Sequence, residues 1–208
     1  MSTLRHQALG YGERGVTMLE VLITIIILSF GMLGLAGLQA RVQLAEIEAY
    51  QRAQAIVLLQ DMVDRINANR NNSLSYAAAA VGTGNTTIGT DCAGLVGAAL
   101  DLCEWHNALL GNAETKSGQN IGAMIGARGC VANTVATNPR EFLVSVVWQG
   151  VTPTATPAST TCGQNAYGNE ATRRAIVARV TVGCLLNDIN GTCCRTIDPA
   201  TNICLTTP

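Results

Sequence analysis

Between Val21 and Leu38 the chain runs for 18 residues without a charge, and leucine and isoleucine dominate. Wound as a helix at 1.5 Å per residue, that run is roughly 27 Å long, close to the hydrocarbon thickness of a bilayer. One membrane-spanning helix is predicted. A polar stretch, residues 1–15 with Arg5 and Arg14, precedes it. From Gln39 to Asn72 the pattern changes to charged and helix-favouring, with no proline or glycine. There Ala55, Leu59, Met62, Val63 and Ile66 recur at helical spacing, while Arg52, Asp61, Asp64 and Arg65 occupy other positions. Together these stretches predict one continuous helix from Val16, roughly 80 Å long, whose second half docks an apolar stripe on a globular head. Asn67–Asn72 supplies its stop.

Downstream, residues 73–100 are rich in alanine, glycine and threonine and predict a long surface loop. Asp101–Leu110 spaces Leu102, Trp105 and Leu109 as a short amphipathic helix, on which His106 reads as an exposed histidine. Two segments alternate as strands. In Glu141–Trp148, Phe142, Val144, Val146 and Trp148 share a face opposite Leu143, Ser145 and Val147. In Arg174–Gly183, Ile176, Ala178, Val180 and Val182 lie opposite Arg179 and Thr181. The connection Gln149–Thr172 is too long for a tight hairpin but can join antiparallel neighbours. The expected class is α+β, with a small antiparallel sheet packed across the long helix.

Composition adds a constraint. Aromatic residues make up only 4% of 208 residues, so the head has few large side chains for a core. Eight cysteines, Cys92, Cys103, Cys130, Cys162, Cys184, Cys193, Cys194 and Cys204, all lie downstream of the apolar block. An even number in a loop-rich, weak-core region points to disulfides in an oxidising compartment. A metal site is the competing reading, but no pair has CxxC spacing and only His6 and His106 could add imidazoles. Connectivity stays open. Net charge is −1 and Lys116 is the sole lysine, so no nucleic-acid surface is expected.

The N-terminal block admits three processing readings: a signal peptide cut near Gly37 or Ala40, an uncleaved anchor, or a short leader ending at Gly15. Leu38-Gln39-Ala40 is a poor match to a small-residue cleavage site. Glu20 discriminates among the three. A carboxylate at the edge of an apolar helix costs up to a few kcal/mol on insertion, and so it calls for a positive partner. The bland alternative is a glutamate snorkelling to the inner headgroups.

The stretch Arg14-Gly15-Val16-Thr17-Met18-Leu19-Glu20-Val21-Leu22 resembles the leader junction of the type IV pilin family. Valine is an atypical first residue there; the glycine and the acid are the stronger marks. The resemblance implies cleavage by prepilin peptidase between Gly15 and Val16, N-methylation of Val16, and pairing of Glu20 with the N-terminal amine of a neighbouring subunit during assembly. It implies a leader at 1–15, a transmembrane and assembly segment at 16–40, an amphipathic half-helix at 41–72 and a periplasmic head at 73–208. Major pilins often carry a proline where this chain has Gly37. The glycines Gly31, Gly34 and Gly37 thus suggest either close helix packing or a helix segment that melts in the filament.

Leu28–Gln39, with Asp101-Leu102, Trp105, Leu109, Gly129-Cys130 and Val144 to Trp148, is similar to PilV-type minor pilins. The function this implies is a minor pilin in type IV pilus assembly, supporting adhesion, motility or DNA uptake. Its expected partners are the inner membrane, prepilin peptidase, other minor and major pilins and the pilus assembly platform. A pseudopilin of a type II secretion system is the near alternative; pseudopilin heads can carry calcium sites, but Asp188 and Asp198 form no recognisable calcium loop. A membrane-tethered periplasmic enzyme or a released binding domain is the alternative from another class. No GxSxG, HExxH, paired-carboxylate or phosphate-cradling motif is present. No enzyme activity, cofactor or metal is therefore expected.

Overall fold

The computed structural model describes residues 15–112, 115–117, 119–120, 124–184, 186, 194 and 196–206. The leader up to Arg14 and Cys193 lie outside them. Helix α1 spans Met18–Ala68 and is followed by a 3-10 segment, Arg70–Tyr76. Next come β1 (Ala78–Gly82), α2 (Ala98–Leu109), the short β2 (Thr115–Lys116) and β3 (Gln119–Asn120), β4 (Arg128–Val135), β5 (Arg140–Gln149), β6 (Arg173–Val182), β7 (Thr196–Ile197) and β8 (Cys204–Thr206). The chain divides into two compact units, the first ending at Ala45 and the second beginning at Glu46.

In the second unit a four-stranded sheet has the order β1-β4-β5-β6, antiparallel throughout. Helix residues Gln51, Ala55, Leu59, Met62 and Ile66 are buried. Their spacing of three or four keeps them on one stripe. Phe142, Val144, Val146 and Trp148 of β5, with Val180 and Val182 of β6, are buried in the same core. This is the expected α+β arrangement of a helix laid across a small antiparallel sheet, and the core faces follow the alternation read from the sequence.

Trp105 of α2 stands at the centre. It is fully buried and its indole N–H donates to Leu58 O of α1 at 2.9 Å. Gly129 of β4 makes room for it, since a Cβ there would lie 2.1 Å from Trp105 Cη2. A polar lock adds to this packing. Arg65 bridges Asp61 (3.0 Å) on its own helix to Asp101 (2.9 Å) and Glu104 (2.7 Å) on α2. Burial alone would lower the Arg65 pKa, but hydrogen bonds to Glu104, Asp61 and Asp101 raise it above its ordinary value. The Tyr76 hydroxyl donates to Asp101. Burial and that carboxylate push its pKa up to about 12.

Two expectations are corrected. Residues 73–100 are not simply a surface loop, because Ala78–Gly82 forms an edge strand against β4. Alanine is a weak strand former, and the pairing shifts register between Ala78 and Val81, where Ala80 has a φ of 55°. Tertiary contacts create this strand: Val81 enters the core, and Gly82 N–H donates to His106 Nδ1 at 3.1 Å. Gly82 itself has a φ of 99°, and a Cβ there would meet Ala127 O at 2.6 Å.

The second correction is His106, which is 2% exposed rather than on the surface. Burial lowers its pKa from the ordinary 6.5. Folded His106 therefore resists a proton that the unfolded chain accepts, and Nδ1 must stay unprotonated to hold the Gly82 N–H. The unfolded chain binds more protons below 6.5, so stability is lost as pH falls through that value toward the folded pKa. One such group gives at most about 1.4 kcal/mol per pH unit. In His106→Asn, which keeps an acceptor near the Nδ1 position, urea-unfolding midpoints should decline less between pH 6.5 and 5 than in the parent. Equal declines would show that His106 does not set this dependence.

The β5–β6 connection is folded onto the outer face of the sheet. There Val147, Cys162 and Tyr167 form a second small core with half-buried Cys130 and Ala175. Arg173, 3% exposed, organises it by donating to Glu170, Thr160 O, Cys162 O and Pro157 O. The loops are stapled by disulfides Cys92–Cys103, Cys130–Cys162 and Cys194–Cys204, and Cys184 is also disulfide-bonded. Each such bridge contributes typically about 2–4 kcal/mol by restricting the unfolded chain. They add rigidity where large apolar side chains are scarce.

Candidate assembly site

Helix α1 starts from Thr17. Its Oγ1 accepts the Glu20 N–H at 3.3 Å, while its carbonyl accepts from Glu20 N (3.0 Å) and Val21 N (3.2 Å). Thr17 is thus the N-cap and Glu20 the third helical residue, the Thr-x-x-Glu pattern of a capping box. A carboxylate there sits at the positive end of the helix dipole.

The polar groups that follow are satisfied locally. Thr24 Oγ1 donates to Val21 O at 2.9 Å and Ser29 Oγ to Ile25 O at 2.7 Å. Back-bonding of this kind removes the cost of a hydroxyl in an apolar setting. The Glu20 carboxylate differs, because among the described residues it makes no hydrogen bond or ion pair. It stands alone in a segment that is exposed on every side, from Val16 at 69% to Leu38 at 59%.

The helix is long and apolar enough to cross a membrane, and none of its most apolar 18-residue stretch is buried within the chain. A Cβ added at Gly31, Gly34 or Gly37 would meet nothing within 4 Å. Among the described residues no contact requires those glycines.

Several titratable groups of the head are, in contrast, engaged in structure. His106 holds β1, Arg65 and Asp101 join α1 to α2, and Arg173 holds the β5–β6 connection. No group of three or more His, Cys, Asp or Glu fit to hold a metal occurs among the described residues. Gly15, Val16 and Glu20 lie together at the helix start. The described cysteines are distributed through the head and do not converge on one site. Sequence reading did not identify the arginine hubs. Tandem Arg173-Arg174 at a strand start was the available signal, but its acceptors are mostly loop carbonyls, which have no sequence signature.

Comparison with known proteins agrees with this geometry. The prokaryotic N-terminal methylation motif matches residues 11–36, and the family described as type IV pilin Tt1218 matches residues 37–104. Neither a curated protein nor a solved structure matches the chain.

Proposed function

We propose that this chain, similar to the N-terminal methylation motif over residues 11–36 and to the family described as type IV pilin Tt1218 over residues 37–104, is a minor pilin that primes or modifies a type IV pilus. Prepilin peptidase cuts between Gly15 and Val16, and the new Val16 amine is methylated. Residues 16–40 hold the subunit in the inner membrane, residues 41–72 carry the helix into the head, and the head from residue 73 lies in the periplasm. The subunit then joins other minor and major pilins at the assembly platform and leaves the bilayer for the filament.

One observation carries this reading. Among the described residues the Glu20 carboxylate has no partner, and it sits at the start of an exposed apolar helix. A buried charge is costly alone and far less so when paired. Cleavage after Gly15 would create a positive amine four residues away on each subunit, and a neighbour's amine is a suitable partner. The acid then opposes wrongly stacked subunits and favours the correct register.

Sequencing and intact mass of the mature chain test the processing. The expected start is methylated Val16. A start near Arg41 would indicate release by signal peptidase, and retention of Met1 would overturn the processing. Recovery of the chain in sheared filaments separates a pilus from a secretion pseudopilus.

A further inference from the structure

Between α1 and the start of β6 the head carries an open groove of about 350 Å³. Trp148 and Ile176 give it an apolar floor, and Glu48, Arg52 and Arg174 supply its charges. Those charges are used unequally. The Glu48 carboxylate accepts from Thr152 N (3.3 Å), Thr152 Oγ1 (3.0 Å) and Arg174 (3.2 Å). Arg174 also donates to Thr152 O, Thr154 Oγ1 and Ala171 O. Glu48 and Arg174 cancel each other and secure the loop after β5. Arg52 is exposed and makes no hydrogen bond or ion pair among the described residues. The groove therefore presents one uncompensated guanidinium above an apolar floor.

A second feature adjoins it. β6 is the last strand in the sheet order and pairs with β5 over all ten of its residues, so its far edge has no strand neighbour among the described residues. An open edge is a template for an added extended segment, and side-chain pockets beside it give such binding its specificity.

We infer that this groove docks an extended acidic and apolar segment of another pilin-family subunit. A partner carboxylate meets Arg52, an apolar side chain covers Ile176 and Trp148, and the backbone runs along the edge of β6. Charge complementarity selects the partner, since a basic segment would face Arg52 with no free acid to receive it. The inference rests on the pilus function proposed above and adds a partner chemistry and a place for it.

A photo-crosslinking amino acid at exposed Ala49, introduced into the full-length chain in its own cells, tests this. The expected result is a crosslink to a different pilin-family chain, mapped by mass spectrometry to a peptide containing Asp or Glu. Arg52→Glu should reduce its yield about tenfold by like-charge repulsion, whereas Arg52→Lys should largely retain it. A crosslink to lipid, a crosslink only to a second copy of this chain, no crosslink, or a yield unchanged by Arg52→Glu would each overturn the assignment. Sheared filaments from the same cells distinguish the two failures. If the chain is in the filaments but the groove is empty, the docking site alone is wrong. If the chain is missing from them, the pilus function fails too.

Discussion

Replacing Glu20 with alanine is expected to leave the chain inserted in the membrane but to lower its recovery in sheared filaments by about tenfold or more. The two halves of this result have different physical origins. Insertion depends on transferring apolar surface, and removing a carboxylate from that helix can only ease it, by as much as a few kcal/mol at depth. In the proposed function, assembly depends on what Glu20 pairs with. Thr24 and Ser29 are bonded to their own helix, while the Glu20 side chain has no partner among the described residues. If a neighbour's N-terminal amine supplies that partner in a water-poor environment, loss of about 1.4 kcal/mol already means a tenfold loss of occupancy. Glu20→Gln, which keeps a hydrogen-bonding group without charge, should fall between the two. Membrane fractions and sheared filaments, probed side by side, give both readouts. Unchanged recovery of Glu20→Ala in filaments would remove the acid from the assembly role.

The largest stability effect is expected at Trp105. Trp105→Ala deletes a fully buried indole that touches both α1 and the sheet and removes the hydrogen bond to Leu58 O. Large-to-small changes of this kind cost about 3–5 kcal/mol, and a lost hydrogen bond adds about 1 kcal/mol. With domains typically stable by about 5–15 kcal/mol, that is a substantial fraction of the total. A 4 kcal/mol loss corresponds to a Tm decrease of roughly 8–16 °C for a chain of this size. Trp105→Phe should cost much less, since it keeps most of the ring and loses the N–H. Gly129→Ala should destabilise from the other side, because the new methyl would overlap the ring. Thermal unfolding of the detergent-solubilised full chain without reductant measures all three. A Tm change below about 3 °C for Trp105→Ala would show that the indole does not hold the head together.

These two sites differ in how they could be read. The N-terminal methylation motif was legible because its signal is local: a glycine, an acid five residues on, and an unbroken apolar run need no tertiary contact to be recognised. The helix stripe and the strands β5 and β6 were legible because their apolar positions repeat along the chain with a period of 3.6 or 2. The strand Ala78–Gly82 lacked such a signal. Its residues have little strand preference, and it exists because β4 pairs with it and His106 accepts the Gly82 N–H. His106 was misread for the same reason, since a helix pattern does not reveal that a strand from another part of the chain will cover one of its polar positions. The hub at Arg173 depends on carbonyls of a loop whose path is set partly by the Cys130–Cys162 bond.

By itself, the order of residues determined the long apolar helix, the N-terminal methylation motif, the helix stripe and the strands β5 and β6, because each is encoded within a few turns or strand repeats. Tertiary structure decided the edge strand, the buried state of His106, the cysteine pairs that are described and the charge left over at Arg52. Those depend on which distant groups meet, and burial, pairing and unpaired charge are properties of the meeting rather than of either segment alone.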